Sequence, residues 1–360
     1  MNAIIKNWVI GAAITAGFLF ISCGDENGEG PNGPGGGVGP AYFVVGSYND
    51  VIIYDEQFRE VQSVELDVFK VTVLEFDRKN RLIWALGWCK NDKYKVYTFD
   101  LDLGKIAEVT FTDDMIADLS CTPYSGGRAW VTSSWRAGSK VRLLNYKCKI
   151  LTTVALPELG YLFCDALSKP TSANEDGSLW VQVEEKSGWY HNKGIRLSGS
   201  GKILAETPVF GSQGSTLPAQ DLASGGGKNL WVNWQSGPVW KFDGAGKRVL
   251  EVSEKFGSDV HLTADASGGV AGTPYPSEYF YYCSASGSVS KSEKLSNNID
   301  GVVAYDPNDD AFYGFCRVES EEAKYYYYKF DTKCKVLGEG YVNGDFRCPS
   351  KGYRIFILDQ

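Results

Sequence analysis

The 360-residue sequence predicts an all-β fold, a β-propeller built from four-stranded antiparallel blades. Two observations support this prediction. A tryptophan-centred strand recurs at Trp84, Trp130, Trp180 and Trp231, with spacings of 46, 50 and 51 residues. Each copy is followed by a second strand-like run that ends in a turn rich in Gly, Asp, Asn or Ser, and no helical period is sustained beyond the N-terminal segment. Repeats of this length hold four short strands, whose two faces are buried only between neighbouring copies.

Residues 1–22 are interpreted as an export signal. Lys6 supplies a positive charge, a fourteen-residue apolar run extends from Trp8 to Ile21, and Ser22 and Cys23 follow. The run is too short to span a bilayer. The sequence LFISC, which ends at Cys23, resembles the lipobox of bacterial lipoproteins, and this resemblance implies that Cys23 is acylated and becomes the mature N-terminus. An ordinary cleaved signal peptide is the alternative interpretation.

Residues 23–40 are expected to form a flexible tether. Gly24 to Pro40 contains almost no side chain that could be buried, so ordering it would not be offset by packing. The early acids Asp25, Glu26 and Glu29 resemble the acidic stretch that directs some lipoproteins to the outer surface of Gram-negative cells. We therefore expect an exported protein that contacts the membrane only through its lipid, at the outer membrane and facing outward.

The net charge and the cysteine content limit the classes of function that the sequence supports. A formal net charge of -8 argues against binding nucleic acid through bulk electrostatics. Eight cysteines remain besides Cys23, and an even number on an exported chain favours at least two disulfides, although the pairing is undetermined. Close Cys pairs of the zinc-binding kind are missing from the sequence. These cysteines are Cys89, Cys121, Cys148, Cys164, Cys283, Cys316, Cys334 and Cys348.

The domain is expected to occupy residues 41–360, and the repeat consensus resembles NHL- and YVTN-type propeller repeats. That resemblance implies a fold and no particular activity. Joining the N-terminal strands to a C-terminal innermost strand that starts at Asp345 gives seven blades without an open sheet edge. Because Tyr353 to Leu358 resembles another anchor strand, a six-bladed ring is the alternative. Six complete units begin near Val71, Asp118, Asp165, Asp221, His261 and Asp300.

An acid opens the predicted innermost strand of most units, and these acids are expected to form a ring at one mouth of the central channel. Converging carboxylates suit a hard cation such as Ca2+, which is the one cofactor considered. In the alternative interpretation, each carboxylate accepts backbone N–H bonds and serves the repeat itself. The ring positions are Asp118, Asp165, Asp221, Asp300 and Asp345, with His261 at the same position in one unit.

A second aromatic residue follows each anchor tryptophan, at the end of that strand or in the next loop. Such residues would share one face of the ring with the acids, where exposed rings could stack on a sugar or anchor a protein partner. Wedging between blades is the alternative. The candidate ligand-binding residues are Trp88, Trp135, Trp189, Tyr190 and Trp234, joined by Tyr161 and Phe163.

Catalysis has weaker support. His261 beside Asp221 or Asp300 is the best acid/base candidate, and neither a nucleophile nor a phosphate-binding loop accompanies it. The sequence therefore favours a non-enzymatic binding or scaffold module for a glycan or protein. The alternatives are a carbohydrate-active hydrolase or lyase that uses the ring carboxylates, and a purely structural envelope protein.

Overall fold

The computed structural model describes most of the chain after residue 41. The described residues belong to the second of two compact units, Val38–Gln360. They are residues 42–90, 93–112, 115–122, 126–134, 139–156, 171–184, 192–209, 219–234, 238–252, 256, 262–273, 277–300, 302–318, 325–342, 346–347 and 355–358. Among them, no helix is long and apolar enough to cross a membrane.

The described residues contain 28 strands, which form seven four-stranded antiparallel sheets, and this confirms the predicted seven-bladed propeller. Blades are numbered here from the one that contains the first strand, and strands are given from the innermost outward. Blade 1 contains β28 (Ile355–Leu358), β1 (Tyr42–Ser47), β2 (Asp50–Tyr54) and β3 (Glu60–Glu65). Blade 2 contains β4 (Lys70–Asp77), β5 (Leu82–Cys89), β6 (Lys93–Phe99) and β7 (Lys105–Phe111). Blade 3 contains β8 (Met115–Thr122), β9 (Arg128–Ser134), β10 (Lys140–Asn145) and β11 (Ile150–Ala155).

The remaining four blades follow in chain order. Blade 4 contains β12 (Thr171–Ala173), β13 (Leu179–Glu184), β14 (Asn192–Leu197) and β15 (Ile203–Glu206). Blade 5 contains β16 (Ala219–Ser224), β17 (Leu230–Trp234), β18 (Val239–Phe242) and β19 (Arg248–Val252). Blade 6 contains β20 (Thr263–Ala264), β21 (Val270–Gly272), β22 (Tyr281–Cys283) and β23 (Val289–Lys291). Blade 7 contains β24 (Val302–Asp306), β25 (Ala311–Arg317), β26 (Tyr325–Asp331) and β27 (Val336–Val342).

The ring closes where β28 pairs with β1, so one C-terminal strand completes a blade of three N-terminal strands. Tyr42 pairs with Leu358 and Val45 with Ile355. This closure was predicted, but the innermost strand was placed too early, at Asp345. Phe346 is buried instead, because it packs into the aromatic core between blades 7 and 1. Its ring lies 4.9 Å from that of Tyr54. The supposed extra anchor strand is the closing strand itself.

The anchor tryptophans lock neighbouring blades together. Four of them, Trp84, Trp130, Trp180 and Trp231, are fully buried. The indole N–H of Trp180 donates to the carbonyl oxygen of Lys228 at 2.9 Å, and that of Trp231 donates to Gly268 at 3.0 Å. Each acceptor lies in the turn after the innermost strand of the next blade. The recurring tryptophan thus fixes the contact between successive blades.

The cysteines depart from the expected disulfides. Six of the eight, Cys89, Cys121, Cys148, Cys283, Cys316 and Cys334, are described and are free thiols. At most one bridge within the chain, between Cys164 and Cys348, is therefore left, and the expectation of at least two is wrong. The physical reason is that the thiols are packed separately among the blades. Cys148, for example, points its Sγ at the carbonyl oxygen of Val96, 3.7 Å away, in a buried site.

Candidate binding site

Two of the predicted ring acids occupy the same position in their blades. Asp118 in β8 and Asp221 in β16 each follow a β-bulge, and they pair with Thr132 and Asn233 of the adjacent strand. Those partners lie two residues beyond an anchor tryptophan, so the repeat aligns them. The two acids are 3% and 1% exposed. The predicted alignment of Asp118 with Asp221 is therefore present, inside the wall of the ring.

Both carboxylates are engaged with the next blade. The hydroxyl of Thr171 in β12 donates to Asp118 Oδ2 at 2.5 Å, and the backbone N–H of Leu119 donates to Asp118 Oδ1 at 2.8 Å. The backbone N–H of Leu262, which leads into β20, donates to Asp221 Oδ2 at 2.7 Å. The bonds from Thr171 and Leu262 connect each acid to the next blade, which supports a structural role for the two acids.

Asp300 differs from that pair because it precedes β24 rather than lying in the strand. Its carboxylate accepts the backbone N–H of Arg317, and its own N–H donates to the carbonyl oxygen of Phe315 at 2.9 Å. Burial raises the pKa of the Asp300 carboxyl, although the bond from Arg317 opposes the rise. Asp300 therefore caps the edge of its own blade.

The other ring candidates lie outside the described residues: Asp165, His261 and Asp345. These three positions stay predictions.

The central channel contains a cavity of about 260 Å³, lined by the innermost strands. Glu75, Ser120, Ser172 and Thr263 are among its polar lining residues. The described part of the chain holds no group of three or more His, Cys, Asp or Glu side chains that could bind a metal ion. A Ca2+ site stays a prediction, because the other ring candidates are not described.

Trp88 is the predicted ligand-binding residue whose side chain is described. It lies near the end of β5, is half-buried, and packs against the core cluster shared by blades 2 and 3. Its ring meets that of Phe69 edge to face at 5.3 Å and 88°. Trp88 therefore packs against the core between blades 2 and 3, and it also supports the more exposed ring of Phe69.

The side chains of the remaining aromatic candidates are not among the described parts of the structure. Trp234 ends β17, where its backbone pairs with Ala219. The others, Trp135, Trp189, Tyr190, Tyr161 and Phe163, lie outside the described residues. They stay predictions.

A pocket of about 560 Å³ opens beside Trp88 and Phe69, between blades 1 and 2. It lies on the loop face, the end of the ring that carries the links between second and third strands and those between successive blades. Its lining comes from three such segments: residues 48–49, 67–69 and 89–90. Tyr48 is 72% and Phe69 50% exposed. This pocket is called the aromatic rim pocket below.

Tyr48 holds its position at an energetic cost. Tyr48 and Asn49 form the two-residue link between β1 and β2, and Tyr48 has a φ of 36°. Such turns favour Asn or Gly because a Cβ is disfavoured at positive φ, and a bulky residue there is strained by roughly 1–2 kcal/mol. The ring does not offset this strain by burial, since it is largely exposed. Residues in strained backbone conformations cluster at functional sites. Phe58, Leu103 and Cys148 also have positive φ here, but they are buried, whereas Tyr48 is exposed.

A glycine in β5 allows the opposite wall of the pocket to form. A Cβ at Gly87 would lie 2.6 Å from Cγ1 of Val68, so only glycine lets the link between blades 1 and 2 rest on the strand. Backbone bonds then fix this link: Leu66 N–H donates to the carbonyl oxygen of Asn49 at 2.7 Å, and Phe69 N–H donates to that of Trp88 at 2.8 Å. The exposed Phe69 ring is thus carried by a well-anchored segment.

One exposed lysine lies at the pocket among paired charges. The Lys95 ammonium donates to Asp67 Oδ2 at 2.7 Å, and this bond lowers the pKa of the Asp67 carboxyl. The Glu65 carboxylate accepts a hydrogen bond from the Asn49 amide at 2.8 Å. The Lys90 ammonium lies 5.6 Å from the centroid of the Phe69 ring. Lys90 and Asp67 are thus the charged residues of the lining, and Asp67 is paired with Lys95.

Sequence reasoning missed Tyr48 and Phe69, the two most exposed rings of the pocket. A signal for Tyr48 was present, because SYND places a bulky residue where a tight turn between two apolar strands calls for Asn-Gly. Phe69 carried a weaker signal, as one aromatic in a short link between blades. Only the pairing of blade 1 with blade 2 brings the two rings into one pocket.

Neither a family model nor a curated protein matches the chain, so the NHL-type resemblance is supported by the sequence pattern alone. Three solved structures are similar in fold. A protein of unknown function from Bacteroides caccae is 12% identical, with 89% of this chain and 100% of that chain covered and a TM-score of 0.49. BamB from Moraxella catarrhalis is 12% identical, with coverages of 84% and 85% and a TM-score of 0.48. The Cps50 (Swd1) β-propeller domain from Myceliophteria thermophila is 11% identical, with coverages of 76% and 87% and a TM-score of 0.53. At these identities, the chain's similarity to known proteins is that of a β-propeller fold.

Proposed function

We propose that this protein is an envelope lipoprotein whose propeller is a non-enzymatic binding module for a glycan or protein at its loop face. The observation that carries the proposal is Tyr48, a bulky residue at a φ of 36° whose ring is 72% exposed beside Phe69. The exposed ring of Tyr48 gains little from packing, whereas a ligand would gain a preorganised ring. The lipid at Cys23 would anchor the protein to the membrane.

The engagement of Asp118 and Asp221 supports binding over catalysis. Each carboxylate accepts a hydrogen bond from the next blade, and Asp221 is 1% exposed although it lines the central cavity, which leaves both acids poorly placed to protonate a substrate. A hydrolase or lyase that used Asp221, Asp300 and His261 would lose turnover in Asp221→Asn. The binding module predicts no such turnover.

Binding is tested with the full chain and two variants, Phe69→Ala in the pocket and Tyr341→Ala as a matched control. Tyr341 is 59% exposed on β27, the outermost strand of blade 7, and is not among the residues that line the pocket. Retention is measured on immobilised envelope polysaccharides and on purified envelope proteins. We expect one of these to retain the wild type and Tyr341→Ala but not Phe69→Ala. Equal retention of all three, or of none, would overturn the proposed site.

Anchoring is tested separately by cell fractionation. Cys23→Ser should move the protein from the membrane fraction to the soluble extracytoplasmic fraction, because the acylated thiol is the proposed membrane contact. Retention of Cys23→Ser in the membrane fraction would contradict the lipoprotein assignment. It would leave the binding assignment to be judged on its own experiment.

A further inference from the structure

We infer that the aromatic rim pocket binds an acidic saccharide, a sugar unit that carries a carboxylate. This inference rests on the proposed binding function and names its ligand class. The pocket joins two exposed rings, Tyr48 and Phe69, to hydrogen-bonding groups on Asn49 and Asp67 and to the Lys90 ammonium. A hexuronic acid presents the matching features, namely apolar ring faces, hydroxyls and one negative charge.

The size of the pocket favours a small ligand. Its volume of about 560 Å³ lies within the range of about 300–1,000 Å³ that is typical of small-molecule sites. It is lined by three short segments, whereas a stable protein interface involves roughly 20–30 residues on each side. A few linked sugar rings would fill it, with the chain continuing along the open face.

The two rings supply apolar platforms, and the polar groups supply orientation. Aromatic faces stack on the C–H face of a pyranose, while carboxylate and amide groups bond its hydroxyls. Asp67 is kept ionised by the bond from Lys95 and remains almost fully exposed, so its other oxygen is available as an acceptor. Asn49 donates to Glu65 through its side-chain nitrogen at 2.8 Å, which orients its amide oxygen.

The charge of the site decides between neutral and acidic sugars. Lys90 and Asp67 are the charged lining residues, and Asp67 is paired with Lys95. Lys90 is exposed and lies above the Phe69 ring, on a chain whose net charge is -8. An exposed ammonium beside an apolar platform favours an anionic ligand, and its attraction is weakened by salt.

The test titrates the full-length protein calorimetrically with tetrasaccharides of galacturonate, glucuronate, mannuronate and guluronate. The matched probes are the same tetrasaccharides after chemical reduction of their carboxyl groups, which makes them neutral. We expect at least one acidic member to bind, its reduced counterpart to bind about tenfold more weakly, and binding to weaken as salt is raised.

Tyr48→Asn is the decisive variant because it should not harm folding. Asn tolerates the positive φ that strains tyrosine, so thermal stability should stay equal or rise while affinity falls about tenfold. Lys90→Gln should reduce affinity for the acidic probe only, and Tyr341→Ala should change nothing. A structural role for Tyr48 would instead lower stability and affinity together.

Three outcomes would overturn the inference. Equal binding of acidic and reduced probes would show a neutral sugar site, and capture of a protein that depends on Tyr48 without any sugar binding would show a protein site. In both cases the binding module stands. Failure of every acidic probe, together with no effect of Tyr48→Asn or Phe69→Ala on any ligand, would remove the inference and the proposed function alike.

Discussion

The indole N–H of Trp130 in blade 3 donates a hydrogen bond to the carbonyl oxygen of Gly177 in blade 4, at 3.2 Å. The same bond joins Trp180 to Lys228 and Trp231 to Gly268. Three successive blade contacts therefore use one repeated donor and one repeated acceptor. The repeat in the sequence is a repeat of this contact, which explains why the tryptophan spacing follows the blade length.

Replacing Trp180 with Phe should destabilise the protein more than replacing Trp84. Both rings are fully buried, but Trp180 donates to Lys228, whereas the Trp84 N–H has no partner among the described residues. Trp180→Phe removes this hydrogen bond, so its free energy of unfolding should fall by about 1 kcal/mol more than that of Trp84→Phe. Urea denaturation measures both. Equal losses of unfolding free energy in the two variants would show that the packing of the ring, and not the hydrogen bond, holds the blades together.

Asp300→Asn should stabilise the protein at neutral pH. Burial raises the pKa of the Asp300 carboxyl above its unfolded value near 3.8, so the folded state binds this proton more tightly. Its contribution is then most favourable below pH about 4 and is lost as pH rises through the folded pKa. Asn keeps an acceptor for the Arg317 N–H without the charge. The gain in unfolding free energy should be present at pH 7 and absent below pH about 4, and a gain independent of pH would contradict this account.

Thiol titration should find at least six free thiols in the denatured chain, without reductant. In the native protein, Cys89 and Cys121 should react first because they are half-buried. Burial raises the pKa of Cys148 to about 11 and that of Cys334 to about 12, so these thiols should react only as the protein unfolds. Fewer than six thiols before reduction would indicate disulfides that the blade packing does not accommodate.

Gly87→Ala should deform the aromatic rim pocket through one contact. The new Cβ would lie 2.6 Å from Val68 Cγ1, which should cost about 1–3 kcal/mol of stability and displace Phe69. Val68→Ala removes the opposing methyl groups, so the double variant should recover part of both stability and binding. Unfolding and ligand titration of the four proteins form a double-mutant cycle. Additive losses would mean that Gly87 does not act through Val68.

The fold was largely predictable because every blade of a propeller repeats the same local arrangement of strands and turns. Four blades were indicated by the recurring tryptophans Trp84, Trp130, Trp180 and Trp231. The other blades were indicated by turn residues at matching offsets. The strand that closes the ring was harder to predict, because the segment beginning at Asp345 resembles the innermost strands of the other blades. Its Phe346 is instead drawn into a cluster with Tyr54 and Phe315, a long-range contact that no local pattern encodes.

The site was predictable only in part, for the same reason. The position of Trp88 at the end of β5 was predictable because its distance from Trp84 fixes its place on that strand. Tyr48 and Phe69 come from two different links, and their shared pocket depends on how blade 1 meets blade 2. Whether an aromatic in a link is exposed or wedged depends on its neighbours in space, such as Val68 resting on Gly87.

The central claim, that the aromatic rim pocket is occupied in the envelope, is tested most directly by carbene footprinting. The native protein is labelled in intact cells and again after purification, and the label on Tyr48 and Phe69 is compared with that on Tyr341. The account predicts that Tyr48 and Phe69 take up several times less label in the envelope than in the purified protein, while Tyr341 is unchanged. Equal labelling of Tyr48 in both states would contradict it.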